Sequence, residues 1–147
     1  MKTSTFKFNK YFFQLIADEH HVVSLNRVDH QELIIHPEHQ RWIKDINDYE
    51  SGLKKRFDWN ILFSNTEFQK KVFMALQSIP YGETRTYHEV AIMIQQPKAA
   101  RAVGQAISKN PVLIVIPCHR VLAKHGLGGF SSGLDLKESL LSHEHHQ

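Results

Sequence analysis

The one cysteine of the chain has neighbours that could make its thiol a nucleophile. Cys118 follows an apolar run at residues 112–116 and is followed directly by His119 and Arg120. The thiolate is the reactive form of cysteine, and nearby imidazole and guanidinium groups favour it by lowering the pKa of the thiol. A free cysteine is also often just a buried core residue. The adjacency of Cys118 and His119 is therefore weak evidence when taken alone.

Glu138 is the candidate acid for this site. It lies four residues after Leu134 and three before Leu141, so a helix would place it on an apolar face. A carboxylate that points inward is costly unless it has a partner. We expect that partner to be His119, whose imidazole a carboxylate can orient and make more basic. The alternative is chance placement at the edge of an amphipathic helix.

Helical patterns precede the cysteine. Thr66 with Gln69, and Thr86 with Glu89, have the spacing of capping boxes, which predicts a helix start at each threonine. After a break at Pro97 a further helix is predicted over residues 98–108. Two short helices joined by a tight break are typical of a helix-turn-helix.

The helix predicted at residues 98–108 has two contrasting faces. Ala100, Val103 and Ile107 form the inward stripe. The other face is made of small, basic and amide residues: Lys98, Arg101, Ala102 and Gln105, with Gly104 alongside. Small residues beside an arginine let a helix backbone approach a nucleic-acid groove. The alternative is a helix that uses alanine for its helix propensity.

The elements on either side complete an α+β fold. Residues 112–116 predict a strand buried on both faces, and a last helix is predicted from Leu134 to about Ser142. Strands are predicted at residues 5–9, 11–17 and 22–28, followed by a helix starting near Pro37. The buried stripe of that helix is predicted to be Trp42, Ile46, Tyr49 and Leu53. We expect a small α/β domain over residues 1–61 and a mainly helical, winged-helix-like domain over 62–147.

Charge is concentrated in the second part of the chain. The net charge is +3. Between Phe68 and Ser131, eight lysines and arginines face only Glu83 and Glu89, a local charge of +6. Such a concentration suits a polyanion, although a solvated basic face is the alternative.

Composition also limits the classes of protein. No apolar run approaches the roughly 18 residues that cross a bilayer, and the N-terminal residues have no apolar stretch typical of a secretory signal. One cysteine excludes an intramolecular disulfide and a thiolate metal cage. We therefore expect an intracellular protein without a membrane partner.

Several motifs together resemble one family. The string from Ile116 to Val121, Ile-Pro-Cys-His-Arg-Val, closely resembles the active-site signature of the O6-alkylguanine-DNA alkyltransferases. Thr86-Tyr87, residues 97–104, Asn110-Pro111 and Lys137-Glu138 occur in that family's order and spacing. The resemblance covers roughly residues 62–145. It implies a small α/β domain before them, in agreement with the pattern of residues 1–61.

The resemblance implies a catalytic role for four residues. Cys118 resembles the alkyl acceptor, and His119 resembles the base that takes its proton through a water. Glu138 is similar to the acid that polarises this histidine. Tyr87 resembles the tyrosine that supports the flipped nucleotide and provides a proton to guanine N3.

Further positions carry implied binding roles. Arg101 resembles the finger that enters the base stack, and Asn110 the hinge that ties the recognition helix to the active-site turn. Ser131 matches a residue whose backbone N–H holds the guanine O6. The expected DNA contacts are Arg101, Thr86, Lys98, Ala99, Ala102, Gln105 and Arg120. The expected substrate pocket consists of Pro117, Val121, Gly128, Phe130 and Ser131.

The implied activity is direct-reversal DNA repair. The protein would flip an O6-alkylguanine, mainly O6-methylguanine, out of duplex DNA. It would transfer the alkyl group irreversibly to Cys118, once per molecule and without a cofactor. We expect a monomer in the cytoplasm, associated with the nucleoid in a bacterium or nuclear in a eukaryote. Ser132 stands where relatives often have glycine, which puts the acceptance of bulky alkyl groups in doubt.

Three other functions remain open. A helix-turn-helix regulator would explain the basic half but not the cysteine motif. A non-catalytic sensor of alkylated DNA is disfavoured because Cys118 is retained. A cysteine hydrolase would need an oxyanion site, for which the sequence has no separate motif.

The eleven histidines raise the question of a metal. His36 and His39 could share a face, but they are expected to be solvated surface residues. Residues 143–147, His-Glu-His-His-Gln, are expected to form a frayed polar tail. No required metal is predicted.

Overall fold

A computed structural model describes residues 1–145. It confirms the α+β class: this part of the chain contains a three-stranded antiparallel sheet, a two-stranded parallel sheet and five α-helices. The chain divides into two compact units, Met1–Phe63 with Pro111–Val115, and Ser64–Asn110 with Ile116–Gln147. The sequence predicted two continuous domains that meet near residue 62. In the structure the first unit also includes Pro111–Val115.

The first unit is a meander that packs against one helix. Strands β1 (Lys2–Phe8), β2 (Tyr11–Ala17) and β3 (Val22–Val28) pair antiparallel in that order. In β2 every second residue is buried, which is the pattern of a sheet with one face on a core. The three predicted strands are confirmed to within about three residues at their ends.

Helix α1 (Gln40–Glu50) follows a 3-10 turn at Pro37–His39. Trp42, Ile46 and Tyr49 are buried as expected. The expectation for Leu53 was wrong: the helix ends before it, and its side chain is 80% exposed. The expectation for His39 was also wrong, since this histidine is fully buried.

The strand predicted at residues 112–116 is wrong. Val112 makes a single bridge to Leu25, and the backbone then turns, with Ile114 in the left-handed region at a φ of 72°. All five residues are nevertheless buried. The apolar run reports burial correctly, but a buried irregular segment has the same composition as a buried strand.

The second unit is mainly helical. It contains α2 (Glu67–Gln77), β4 (Arg85–Thr86), α3 (Tyr87–Met93), α4 (Ala100–Ile107), β5 (Val121–Leu122) and α5 (Leu134–His145). Both capping boxes are confirmed. Thr66 and Gln69 cap α2 reciprocally, and Thr86 and Glu89 cap α3.

The predicted helix-turn-helix consists of α3 and α4. Gln95 has a positive φ of 63° in the break between the two helices. Val103, Ala106 and Ile107 turn inward on α4, while Arg101, Ala102 and Gln105 are exposed. Strand β4 pairs in parallel with β5, which directly follows a 3-10 turn at Cys118–Arg120. The fold thus brings the start of α3 close to that turn.

Within residues 1–145, none of the helices is long and apolar enough to span a bilayer.

Candidate active site

Cys118 lies at the start of a short 3-10 turn, Cys118–Arg120. Only 3% of its surface is exposed. Burial raises the pKa of its thiol to about 11, although a hydrogen bond with the Asn110 side chain and the charge of Lys137 act in the opposite direction. The thiol is therefore protonated at neutral pH, and a base must remove its proton before it can act as a nucleophile.

Asn110 links the end of α4 to the turn that contains Cys118. Its Nδ2 donates to the carbonyl oxygen of Ile116 over 2.7 Å, and its side chain also reaches the Cys118 thiol. Asn110 follows α4 by three residues. This is the arrangement expected of a hinge, since one amide holds both the backbone before Cys118 and the thiol itself.

His119 is fully buried and pairs with Glu144. Its Nε2 lies 2.7 Å from Oε2 of Glu144. An ionised carboxylate only accepts hydrogen bonds, so Nε2 carries the proton and donates it. Nδ1 is buried and has no hydrogen-bond partner among the described residues. In a neutral imidazole that nitrogen has a free lone pair, which is what a base needs.

The expectation that Glu138 is the acid was wrong in its geometry. Glu138 is exposed, and Glu144, six residues later on α5, occupies the position beside His119. The buried face of α5 is formed by Leu136, Lys137, Leu140 and Glu144. Leu134 and Leu141 were expected to be the buried leucines. Leu134 is 48% exposed, and the buried leucines are Leu136 and Leu140.

The expected polar tail at residues 143–147 is also corrected in part. Residues 143–145 belong to α5, and Glu144 is only 4% exposed. His146 and Gln147 lie outside the described residues.

Arg120 does not reach the surface, so the expectation that it contacts DNA was wrong. It donates from Nε to Glu144 Oε1 over 2.8 Å and from Nη2 to Oε2 over 2.9 Å. Its Nη1 donates to the carbonyl oxygen of Ile79 over 2.7 Å. These contacts, together with that of His119, hold the pKa of Glu144 well below its usual range even though burial opposes the shift.

Lys137 is a buried cation that sequence reasoning had not assigned to the site. Its Nζ donates to the carbonyl oxygens of Val121, Leu127 and Gly129 over 2.7, 2.6 and 3.2 Å. Burial lowers its pKa, and its charge favours the Cys118 thiolate. Lys137 therefore organises the glycine-rich loop, residues 126–133, while contributing positive potential at the cysteine.

Tyr87 stands at the first residue of α3, between α4 and the glycine-rich loop. Burial raises its pKa, and the backbone of Gly129 hydrogen-bonds its hydroxyl. Gly128 has a φ of +75°, and a Cβ there would lie 2.9 Å from the Tyr87 hydroxyl oxygen. Glycine at 128 is thus required both by the backbone and by the close approach of this ring.

The other expected residues divide into exposed and buried groups. Lys98, Arg101, Ala102, Gln105 and Ser131 are exposed, whereas Thr86, Ala99, Gly128 and Phe130 are partly buried. Pro117 and Val121 are buried. Phe130 lies with its ring 5.7 Å from Lys137 Nζ. These positions stay predictions as binding residues, because geometry alone does not identify a ligand.

Two site residues were missed, and both had a signal. Lys137 and Glu144 are seven residues apart, and they share one helical face with Leu136 and Leu140. A lysine and a glutamate inside an apolar stripe are costly unless they have partners. Treating both as inward residues would have revealed the site.

The fold and the site together define a helix-turn-helix protein with a buried cysteine, backed by a histidine–carboxylate pair. The model of the "6-O-methylguanine DNA methyltransferase, DNA binding domain" matches residues 67–146. The chain belongs to the 6-O-methylguanine DNA methyltransferase family.

Relatives named methylated-DNA--protein-cysteine methyltransferase support this assignment. The protein of Methanosarcina acetivorans is 52% identical over 102 residues, which are 69% of this chain and 65% of that protein. The inducible protein of Bacillus subtilis is 46% identical over 68% of this chain and 56% of its own length. The chain thus spans just under two thirds, or less, of these curated relatives.

Solved structures extend the similarity to the first unit. The crystal structure of Mycobacterium tuberculosis O6-methylguanine methyltransferase matches 98% of this chain and 92% of its own, with a TM-score of 0.85 and 33% identity. A structure of the protein from the same organism in complex with DNA gives a TM-score of 0.88 at 34% identity, covering 97% and 91% of the two chains.

Proposed function

We propose that this protein repairs DNA by transferring the alkyl group of an O6-alkylguanine, mainly O6-methylguanine, irreversibly to Cys118. One observation carries the proposal. A buried cysteine precedes a buried histidine whose Nε2 is held by Glu144 and whose Nδ1 has no partner among the described residues. This is the arrangement of a thiol with an adjacent base that is itself oriented by a carboxylate.

The transfer is an in-line displacement at the alkyl carbon. The Cys118 proton passes to His119 Nδ1, by way of a water. The sulfur then forms a bond to the alkyl carbon as the bond from that carbon to guanine O6 breaks. The electron pair of the broken bond stays on the guanine, which takes up a proton at N3 from the Tyr87 hydroxyl. The product is a thioether, which none of these groups can hydrolyse, so each molecule acts once.

The proton-transfer step is needed because the Cys118 thiol is protonated before the reaction begins. With a pKa of about 11, Cys118 is almost entirely protonated at neutral pH. A positioned general base contributes a rate factor of roughly 100 to 10,000 in enzymes. His119 is suited to this role because burial lowers its pKa and leaves it neutral.

The exposed face of α4 is the proposed DNA contact. A guanine O6 is buried in the base stack, so the nucleotide must be rotated out at a cost of a few kcal/mol. Arg101 is exposed on this face beside the small residues Ala102 and Gly104. An arginine wedge with a close-lying helix stabilises the opened duplex through phosphate and stacking contacts. The complex of the M. tuberculosis relative with DNA supports this assignment.

The remaining parts of the proposal follow from the reaction. It requires no cofactor, because the cysteine is itself the acceptor and is consumed. A DNA substrate places the protein in the compartment that contains the DNA, and we propose that it acts there as a monomer.

The test is the mass of the protein after incubation with a duplex that contains one O6-methylguanine. We expect one added methyl group, located on the Cys118 peptide, and none in a Cys118→Ala variant. The matched undamaged duplex should give no addition. Selective binding of the damaged duplex with an unmodified Cys118 would make the protein a sensor and overturn the transfer. Turnover of esters or peptides would instead establish a hydrolase.

A further inference from the structure

Arg120 lies inside the site although it was expected at the DNA surface. Only 6% of its side chain is exposed. Two of its nitrogens make a bidentate contact with the two oxygens of Glu144, and the third binds the carbonyl oxygen of Ile79. Glu144 Oε2 therefore accepts hydrogen bonds from both Arg120 and His119.

We infer that Arg120 is a positioning residue that balances the charge of Glu144, so that His119 stays neutral and keeps Nδ1 open to receive a proton. This inference rests on the proposed function, because Nδ1 acts as a base only in the transfer to Cys118. The buried position of Arg120 is compatible with this role but not with a contact to DNA.

The charges around His119 support the inference. Glu144 and Lys137 face it from α5, and Arg120 and Cys118 belong to its own turn. Tyr81, in the turn after α2, lies against Arg120 and is close to Glu144. With Cys118 and Tyr81 protonated, the carboxylate is already balanced by the guanidinium. A proton on His119 would add a buried charge that nothing compensates, which is strongly unfavourable.

Removing the guanidinium charge reverses this balance. Glu144 would then have His119 as its nearest cation, and an opposite charge at hydrogen-bond distance favours the protonated imidazole. An imidazolium carries a proton on both nitrogens and has no lone pair on Nδ1. The base would therefore be occupied before the thiol could deliver its proton.

A purely structural role makes a different prediction. Arg120 also ties α5 to Ile79, so its loss would loosen the site whatever the state of His119. Loosening lowers the transfer rate by a similar factor at every pH. Loss of a neutral base lowers the rate at neutral pH and lets it recover in alkali.

Nitrogen-detected NMR of the unalkylated protein, without DNA, tests the protonation of His119 directly. Comparison with a His119→Asn variant identifies its signals among those of the eleven histidines. Arg120→Gln keeps hydrogen-bonding capacity but removes the charge, and Arg120→Lys is the matched control that keeps the charge. We expect the pKa of His119 to rise by about 1 to 3 pH units in Arg120→Gln and to stay near the wild-type value in Arg120→Lys.

A second pair of variants covers the case in which Arg120→Gln does not fold. Glu144→Gln leaves Arg120 unbalanced beside His119, and the double variant Arg120→Gln/Glu144→Gln removes both charges. We expect His119 to have a lower pKa in Glu144→Gln than in the double variant. Equal values in this pair, or a neutral His119 at pH 7 in folded Arg120→Gln, would overturn the inference.

The same variants are then assayed for single-turnover methyl transfer between pH 6 and 9. For Arg120→Gln we expect a loss of about tenfold or more at pH 7 that recovers in alkali. A loss of equal size at every pH would assign Arg120 a structural role only. An absence of transfer by the wild-type protein would overturn the proposed function, while the NMR result on His119 would stand by itself.

Discussion

Among residues 1–145, each of the two units contains one fully buried histidine, and the two histidines differ in how their ring nitrogens are used. His39 in the first unit has partners on both sides, Ser4 Oγ at 2.7 Å from Nδ1 and the carbonyl oxygen of Ala17 at 3.1 Å from Nε2. His119 in the second unit has Glu144 on Nε2, and its Nδ1 is without a partner among the described residues. Buried polar atoms are nearly always satisfied. On the proposed function, the unsatisfied Nδ1 is the nitrogen with which His119 performs chemistry, whereas both ring nitrogens of His39 hold the fold.

The largest expected effect tests the partner of His119. Glu144→Gln removes the charge that orients the imidazole, and we expect single-turnover methyl transfer to slow by about 100-fold. Glu138→Gln, on the exposed side of the same helix, is the matched control and should stay within about twofold. Quenched-flow measurement with a methylated duplex gives both rates. A slower Glu138→Gln with an unaffected Glu144→Gln would restore the acid expected from the sequence.

The next test replaces each of the two buried histidines by alanine in a separate variant. His39→Ala leaves Ser4 and the Ala17 carbonyl without their partner and opens a cavity, so the free energy of unfolding should fall by about 2 to 4 kcal/mol. Transfer by the folded fraction should be unchanged. His119→Ala should instead reduce transfer by roughly 100-fold. Urea denaturation and the transfer assay on both variants decide the comparison, which fails if His39→Ala slows transfer by folded molecules.

A smaller effect is expected where the loop meets Tyr87. Gly128→Ala meets both the strain of a φ of +75° and the Tyr87 hydroxyl at 2.9 Å. Gly126→Ala has comparable strain, at a φ of +112°, with nothing described within 4 Å of its Cβ. Each should lose about 1 to 2 kcal/mol of stability. Only Gly128→Ala should also slow transfer, by roughly tenfold, through a displaced Tyr87. Equal transfer rates would mean that the position of Tyr87 is unimportant.

The smallest effect concerns pH and stability. Burial lowers the pKa of His39 and His119 from an ordinary value of 6.5, and Arg120 and His119 hold the pKa of Glu144 below its ordinary 4.5. For all three groups the unfolded chain takes up a proton before the folded chain does. Stability is therefore present above these ordinary values and is lost as the pH falls.

Urea denaturation at pH 7.5, 5.5 and 4 measures this loss. We expect the free energy of unfolding to begin to fall below pH 6.5 and to fall more steeply below pH 4.5. In Glu144→Gln the second, steeper part should be reduced. An unchanged slope in that variant would show that Glu144 is not held ionised by its partners.

Local signals in the sequence predicted much of the fold. The two capping boxes were correct because a threonine and the residue three positions later satisfy the helix end between them. The strands of the first unit were predicted from runs of strand-favouring residues bounded by turn residues. The run at residues 112–116 was wrong because an apolar composition reports burial without reporting the backbone path.

The site was predicted less completely, for a physical reason. Cys118 and His119 were predicted from their residue types and order, and Tyr87 was predicted from the resemblance to the alkyltransferase family. Glu144 was missed because the phase of a short helix depends on which leucines are taken as buried, and here Leu134 is exposed while Leu136 is not. Arg120 was assigned to DNA with the other implied contacts, and a sequence does not show that a carboxylate binds this arginine in the interior.

Burial of the Cys118 thiol has a consequence for the life of the protein before it meets a lesion. Oxidants and small electrophiles react with thiolates that they can reach. A thiol that is 3% exposed and has a pKa of about 11 meets neither condition. On the proposed function, every molecule oxidised in advance is one lesion left unrepaired. The same burial that makes activation by His119 necessary therefore keeps Cys118 unmodified until the protein binds its substrate.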